Sequence, residues 1–334
     1  MTVLVTGGAG YIGSHMVLDL LDAGERVIVL DDLSTGFRWA IPEGVPPVIG
    51  KTGDQTLISR LIREQNIEAI IHFAASLIVP ESVRYPLAYY KNNTVNTCAL
   101  VETAVSQGVK HFVFSSTCAV YGTPAEMRVT EDAATLPISP YGSSKLMSEI
   151  ILRDASCAYG LNHVILRYFN VAGADPKGRA GQSTKNATQL IKVAIEAALG
   201  LRTHVEIFGT DYPTPDGTCI RDYIHVSDLV RAHLDALLYL RSGGRSVTLN
   251  CGYGRGFSVR EVLETVQRLS GVNFRVDTVT RRPGDPVQIV ADTQLIQETL
   301  GWQRRFDRLE TIVAHALNWE RTLAQGVHEH GRAM

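Results

Sequence analysis

The chain has no run of 18 apolar residues, no cysteine pair spaced as a C-x-x-C clip, and no H-E-x-x-H or comparable histidine spacing. The first absence leaves no candidate membrane-spanning helix. The others leave neither a disulfide framework nor a metal site, and no metal is expected. Cys98, Cys118, Cys157, Cys219 and Cys251 read as free thiols in a reduced compartment. No basic segment followed by an apolar stretch and a cleavage site opens the sequence, so a cytoplasmic location is expected. Charge of one sign is also scarce in surplus. A formal net charge of −2 draws the whole chain neither to nucleic acid nor to an anionic membrane. A small basic site for a phosphorylated ligand stays compatible with it. There are no internal repeats and no low-complexity segments.

What is present suits an ordinary globular protein: 334 residues are enough for two compact units or one large α/β domain with a lobe. The apolar run at 2–6 opens directly into Gly7-Gly8-Ala9-Gly10-Tyr11-Ile12-Gly13. A helical pattern follows to Leu21, and a second apolar run at 26–30 ends in Asp31-Asp32. This is strand, glycine turn, helix, strand and acid, a βαβ unit. Gly7, Gly10 and Gly13 let backbone approach a pyrophosphate, and the first helical turn, with Tyr11 and Ile12, offers free N–H groups. Asp31, at the end of the second strand, can accept both ribose hydroxyls and would repel a 2′-phosphate, which favours NAD over NADP.

Further strands are expected near 49–54, at 69–75, at 111–117 and at 164–168, with a long helical stretch over 87–107. Asp54 either faces the adenine or caps the helix from Gln55. Ala74, Ala75 and Ser115 are small residues at carboxyl ends of strands, where they leave room for a ligand. Alternation of strand and helix over 1–170 argues a doubly wound parallel (Rossmann) sheet. Beyond 170 a smaller α/β lobe is expected over 171–334, with part of 220–250 returning to the first domain. Residues 171–189 read as a functional loop, followed by a helix over 189–200. Another helix covers 227–241 with Ser227 as its cap, a strand lies at 247–250, and Ser258 opens a helix to Leu269. Arg281-Arg282-Pro283-Gly284-Asp285 forms a basic turn.

Tyr141-Gly142-Ser143-Ser144-Lys145 places a phenol and an amine on one face of a helix. A phenol is a poor base near neutrality, and an ammonium held against it favours the phenolate. Such a pair alone is a common surface motif. With Thr117 upstream and a nicotinamide beside it, Tyr141 can move a proton to or from a sugar hydroxyl while the cofactor moves a hydride.

Together, Thr6-Gly7-x-x-Gly10-x-x-Gly13, Asp31, Ser115-Ser116-Thr117, Tyr141-x-x-x-Lys145 and Arg167-Tyr168-Phe169-Asn170 resemble an extended short-chain dehydrogenase/reductase. More narrowly, the glycine turn through His15, the segment 115–122 and Asp216-Gly217-Thr218-Cys219-Ile220-Arg221-Asp222-Tyr223-Ile224-His225-Val226 resemble bacterial UDP-glucose 4-epimerases. The resemblance runs from residue 1 to about 320. It implies a tightly bound, recycled NAD and inversion of a UDP-hexose at C4. Tyr141 then acts as acid and base, Lys145 holds the phenolate and touches the nicotinamide ribose, and Thr117 bonds near O4. On the cofactor it further implies Asn93 and Tyr168. On the UDP-sugar it implies Asn170, Gln189, Leu190, Arg221, Arg282 and Asp285, with Ile289 at the sugar gate, where a residue smaller than the frequent Tyr leaves room for an N-acetyl group. A homodimer through helices near 90–107 and 142–158 is implied as well.

Some positions depart from the pattern. Leu77 stands where some relatives carry Lys, Asn96 replaces a usual Gly, and Gln189 takes the place of an Asn. Dehydratases and decarboxylases on this fold need carboxylates just after the Thr, and here Cys118-Ala119-Val120 follow. The alternatives are a UDP-pentose or UDP-N-acetylhexosamine 4-epimerase, or a silent NAD-binding scaffold.

Overall fold

The computed structural model describes residues 1–184, 187–282 and 285–326. Lys185 and Asn186 of the loop at 171–189, and Pro283 and Gly284 of the basic turn, lie outside these.

Seven parallel strands form the main sheet: β1 (Thr2–Thr6), β2 (Arg26–Asp31), β3 (Pro47–Ile49), β4 (Ile67–His72), β5 (His111–Thr117), β7 (Asn162–Tyr168) and β11 (Val247–Cys251). Their spatial order is β11-β7-β5-β4-β1-β2-β3. Side chains alternate between two cores, as a pleated strand requires. Val3, Val5 and Val113 join one face, while Leu4, Phe112 and Phe114 join the other. Both faces are covered, which is why these strands read as near-continuous apolar runs. The strand order reverses between β1 and β4, and a crevice opens there beyond the carboxyl ends of the strands.

Helices α1 (Tyr11–Asp22) and α8 (Val226–Arg241) pack together on one face. The other face carries α2 (Gln55–Gln65), α5 (Asn96–Ser106) and α6 (Pro140–Tyr159). Short helices α3 (Val79–Arg84) and α4 (Pro86–Tyr89) precede α5. The lobe holds a second sheet of β6 (Arg128–Val129), β8 (Asn170–Ala172), β10 (Ile220–His225), β12 (Gly256–Ser258) and β14 (Gln288–Ala291). It also holds the pair β9 (Val205–Phe208) and β13 (Val276–Val279). Helices α7 (Leu190–Ala198), α9 (Val259–Ser270), α10 (Gln294–Leu300) and α11 (Leu309–Ala324) complete it. Residues of α7, α9 and α11 share one apolar core with the main sheet, so the lobe packs onto it directly. Among the described residues no helix is long and apolar enough to cross a membrane.

Several elements differ from the sequence reading. The strand expected over 69–75 ends at His72, and residues 73–78 run as irregular chain over the crevice. The helix expected over 87–107 is interrupted by a π-helical turn, Tyr90–Val95, a feature often found at functional sites. Ser227 does not cap α8. The helix starts one residue earlier, and the His225 ring accepts the Ser227 N–H at 3.0 Å. Ser258 does cap α9, reciprocally with Glu261.

Candidate active site

A cleft of about 1080 Å³ runs from the glycine turn, across the ends of β1, β4 and β5, into the lobe. Gly7 has a φ of +71°, and a Cβ on it would lie 2.7 Å from the Ala74 nitrogen. A Cβ on Gly13 would lie 2.0 Å from the Gly7 carbonyl oxygen. The turn is therefore closed to any side chain at these two positions. Gly10 caps α1 without a side chain, and no acid occupies the first turn, so that helix end presents bare N–H groups and positive dipole. Tyr11 donates to the Gly173 carbonyl at 2.7 Å and ties this turn to the lobe. Asp31 accepts the Ala9 N–H at 2.9 Å and the Leu33 N–H at 2.8 Å. Burial pushes its carboxyl up while those two bonds pull it down. An anion-binding helix end beside a carboxylate, with Ile12, Ala74 and Ala75 lining the same wall, fits a dinucleotide.

Thr117 ends β5, and Tyr141 is the second residue of α6. Ser139 caps that helix by accepting the Gly142 N–H at 3.2 Å. Gly142 lets the helix start press on the turn after β5, since a Cβ there would meet the Ala119 carbonyl oxygen at 2.6 Å. This close approach brings the Thr117 hydroxyl near enough to the Tyr141 phenol to favour its ionised form. Burial pushes Tyr141 up to about 12, against the pull of that hydroxyl. Lys145 is buried beside the Phe114 ring, its Nζ 4.5 Å from the ring centroid. Desolvation takes its pKa down to about 7, while Glu149 pulls it up. Burial by the fold alone therefore favours the neutral phenol.

The far wall is built from side chains. Arg221, on β10, is ion-paired with Asp285. Arg282 lies flat over the Phe208 ring, 3.5 Å from its centroid. Asn170, on β8, stands opposite Tyr223 of β10 across the strand pair. Gln189 precedes α7 and accepts from Gln182 at 2.9 Å, and Leu190 opens the helix. All of these line the cleft, as do Tyr168, Thr117, Tyr141 and Lys145.

Four residues do not belong to that lining. Asp54 caps α2, its carboxylate accepting the Leu57 N–H at 3.0 Å; the capping alternative holds. Asn93 is consumed by protein partners, Ser76 N–H at 2.8 Å, Ser76 carbonyl at 2.9 Å and Ser144 Oγ at 3.1 Å. Its neighbours Asn92 and Asn96, one turn apart, line the cleft instead. Ser115 sits two residues deeper in β5 than Thr117 and bonds His233 Nε2 at 2.8 Å. Ile289 is buried with Val120, Tyr121, Phe169 and Ala291, on β14 in register with Arg221 of β10. Sequence reading also passed over Phe208, whose ring supports Arg282. It missed Glu149 too, for which the four-residue step Tyr141, Lys145, Glu149 along one helix face was the available signal.

Among curated proteins, the chain is 57% identical over 329 residues to the UDP-glucose 4-epimerase of Azospirillum brasilense, covering 98% of this chain and 94% of that one. A solved UDP-glucose 4-epimerase from Brucella ovis, in complex with NAD, superposes with a TM-score of 0.92 at 43% identity, covering 95% and 97% of the two chains. The UDP-Glc/GlcNAc 4-epimerase of Campylobacter jejuni superposes with a TM-score of 0.85 at 47% identity, covering 96% and 99%. Residues 3–252 match a family description that takes in the glycine turn, Asp31, Thr117, Tyr141 and Lys145 alike, and the chain belongs to the NAD dependent epimerase/dehydratase family.

Proposed function

We propose that the protein is an NAD-dependent UDP-sugar 4-epimerase that interconverts UDP-glucose and UDP-galactose, with Tyr141 as its single acid and base. The observation that carries this reading is that Thr117, Tyr141 and Lys145 line the same cleft as the glycine turn, with no carboxylate following Thr117. Elimination of water would need a further acid and base, whereas inversion needs one group working in both directions.

When bound, oxidised NAD supplies the hydride acceptor for C4 and a positive charge that favours the phenolate. Gly7, Gly10 and Gly13 hold its pyrophosphate at the start of α1, and Asp31 holds its ribose. Tyr141 takes the proton of the sugar 4-hydroxyl and returns it when the ketone presents its other face. Thr117 donates to that oxygen, and the Lys145 ammonium stabilises the phenolate against the burial that opposes it. The sugar must turn over between the two half-reactions, so binding is concentrated on the nucleotide. Arg221 and Arg282 pair with the diphosphate beside Asn170. Asp285 takes the uridine ribose, and Gln189 and Leu190 flank the base. Residues 1–170, joined by α8 and β11, form the cofactor half, and the rest mainly forms the substrate lobe.

UDP-pentose and UDP-N-acetylhexosamine epimerisation would use the same residues and differ only around C5 or C2. A homodimer is supported by exposed apolar side chains on the helices of one face: Val95 is 59% exposed, Met147 45% and Ile150 44%. Five free thiols suit a cytoplasmic location. The test is proton NMR on UDP-glucose, UDP-galactose, UDP-N-acetylglucosamine and UDP-xylose in turn, without added NAD. Interconversion of the first two is expected. No product and no reduced-nicotinamide absorbance with any sugar would leave only a silent NAD-binding scaffold.

A further inference from the structure

Glu149 lies one helical turn beyond Lys145 on α6, along the face that carries Tyr141. It is fully buried, and three elements meet at its carboxylate. Ser116 on β5 donates to Oε1 at 2.5 Å. Arg167 on β7 donates from Nε to the two oxygens at 3.0 and 3.2 Å and from Nη2 at 2.6 Å. Through Nη1 the same guanidinium reaches the Tyr121 phenol at 3.0 Å and the Glu131 carbonyl at 3.1 Å. Ser116 immediately precedes Thr117, and Arg167 immediately precedes Tyr168, both of which line the cleft.

A buried ion pair is a poor source of stability, because desolvating two charges offsets most of their attraction. Phe112, Phe114, Leu152 and Ile165 already pack α6 on the sheet without it. The pair does have a geometric effect. It registers α6 against the ends of β5 and β7, the two strands whose next residues form the cleft. Its electrical effect falls on Lys145. Tyr141 and Glu149 lie one turn before and one turn after it on its own helix, and His72 on β4 feels its charge; Arg167 on β7 is bonded to Glu149. His72 is held neutral by burial and by the charge of Lys145, and its ring bonds Thr6 and Thr97. Glu149 is thus the counter-charge.

We propose that Glu149, held by Arg167 and Ser116, is a positioning residue for proton transfer: it sets the depth of α6 so that Tyr141 meets Thr117, and it keeps Lys145 protonated. This rests on the roles given above to Tyr141, Thr117 and Lys145. Burial and Glu149 pull the Lys145 pKa in opposite directions, which agrees with the placement.

The test compares the parent with Glu149→Gln, which keeps the shape and removes the charge. Lysine-labelled protein carries seven lysines, and Lys145→Met assigns the resonance of interest by 13C NMR. The Lys145 titration is expected to move to lower pH by about one unit in Glu149→Gln. kcat should fall roughly tenfold on the alkaline side, with KM for UDP-glucose unchanged. The double variant Glu149→Met/Arg167→Met replaces the pair with apolar side chains. It should fold and bind UDP as the parent does while showing the same shifted titration. A folded Glu149→Gln with unmoved titration and unmoved kcat profile overturns the proposal. So does a double variant that does not fold, which would make the pair structural. A shifted Lys145 titration with turnover unchanged at every pH would instead remove Lys145 from proton transfer and leave the placement of Glu149 standing.

Discussion

On one wall of the cleft the contacts are offered by backbone: a glycine turn, the bare start of α1 and one carboxylate held by two amide groups. On the other wall they are offered by side chains from separate segments: Arg221 paired with Asp285, Arg282 braced on Phe208, and Gln189 on Gln182. The first wall is a local device. Its turn, helix start and carboxylate all lie between Gly7 and Asp31, and no side chain can be added to Gly7 or Gly13 without collision. The second wall exists only once β8, β10 and the turn before β14 have come together. A reaction that releases its substrate and keeps its cofactor benefits from this asymmetry. The rigid wall suits the resident group, and the adjustable one suits the group that must enter, turn and leave.

Removing the chemistry between the walls should have the largest effect. Tyr141→Phe is expected to lower kcat by at least 10²–10⁴-fold, on the order of a general acid–base contribution, with UDP binding by calorimetry unchanged. Comparable turnover in that variant would remove Tyr141 as the acid and base. Gly13→Ala attacks the rigid wall. Its Cβ would fall 2.0 Å from the Gly7 oxygen, so NAD content of the purified protein, read by absorbance, should drop sharply. Melting should also reflect overpacking of about 1–3 kcal/mol or more. If NAD stays at parental levels, the backbone cradle is not where the cofactor binds.

Arg282→Ala attacks the adjustable wall alone. Loss of a charge-assisted contact of about 1.5–3 kcal/mol should weaken UDP roughly ten- to a hundredfold while leaving NAD content intact. Equal loss of both ligands would erase the distinction between the walls. Ile289→Tyr distinguishes a gate from a core residue. Overpacking of about 1–3 kcal/mol should lower Tm, and the ratio of UDP-N-acetylglucosamine to UDP-glucose turnover should not move. Asp54→Ala should be the mildest change. A lost helix cap costs about 1 kcal/mol, visible in denaturant melts, and NAD affinity should stay as it was.

Legibility in the sequence followed the same division. The βαβ unit could be read because its signals are local: apolar runs, glycines at fixed offsets and an acid where the second strand stops. Asn93 and Ser115 could not be placed, for opposite reasons. A π turn decides which asparagine faces the cleft, and no periodic pattern announces one. Ser115 has the right parity and the wrong depth. The burial of Ile289 was not legible either, because it follows from the pairing of β14 with β10. His225 displaced Ser227 as a cap because the helix begins one residue earlier and an imidazole nitrogen can accept the N–H of its second residue, Ser227.

By itself, the sequence determined the parallel α/β sheet, the dinucleotide turn, the preference for NAD carried by Asp31, and the pairing of Tyr141 with Lys145 on one helical face. Each of these depends on neighbours within a turn or a strand, where spacing dictates geometry. Only the tertiary structure decided that Thr117 comes beside Tyr141, that burial raises the phenol's proton affinity, and that a buried Glu149–Arg167 pair stands behind the helix carrying it. Those outcomes depend on how deeply an element sinks and what is excluded with it, and desolvation is a property of the packed molecule rather than of any stretch of chain.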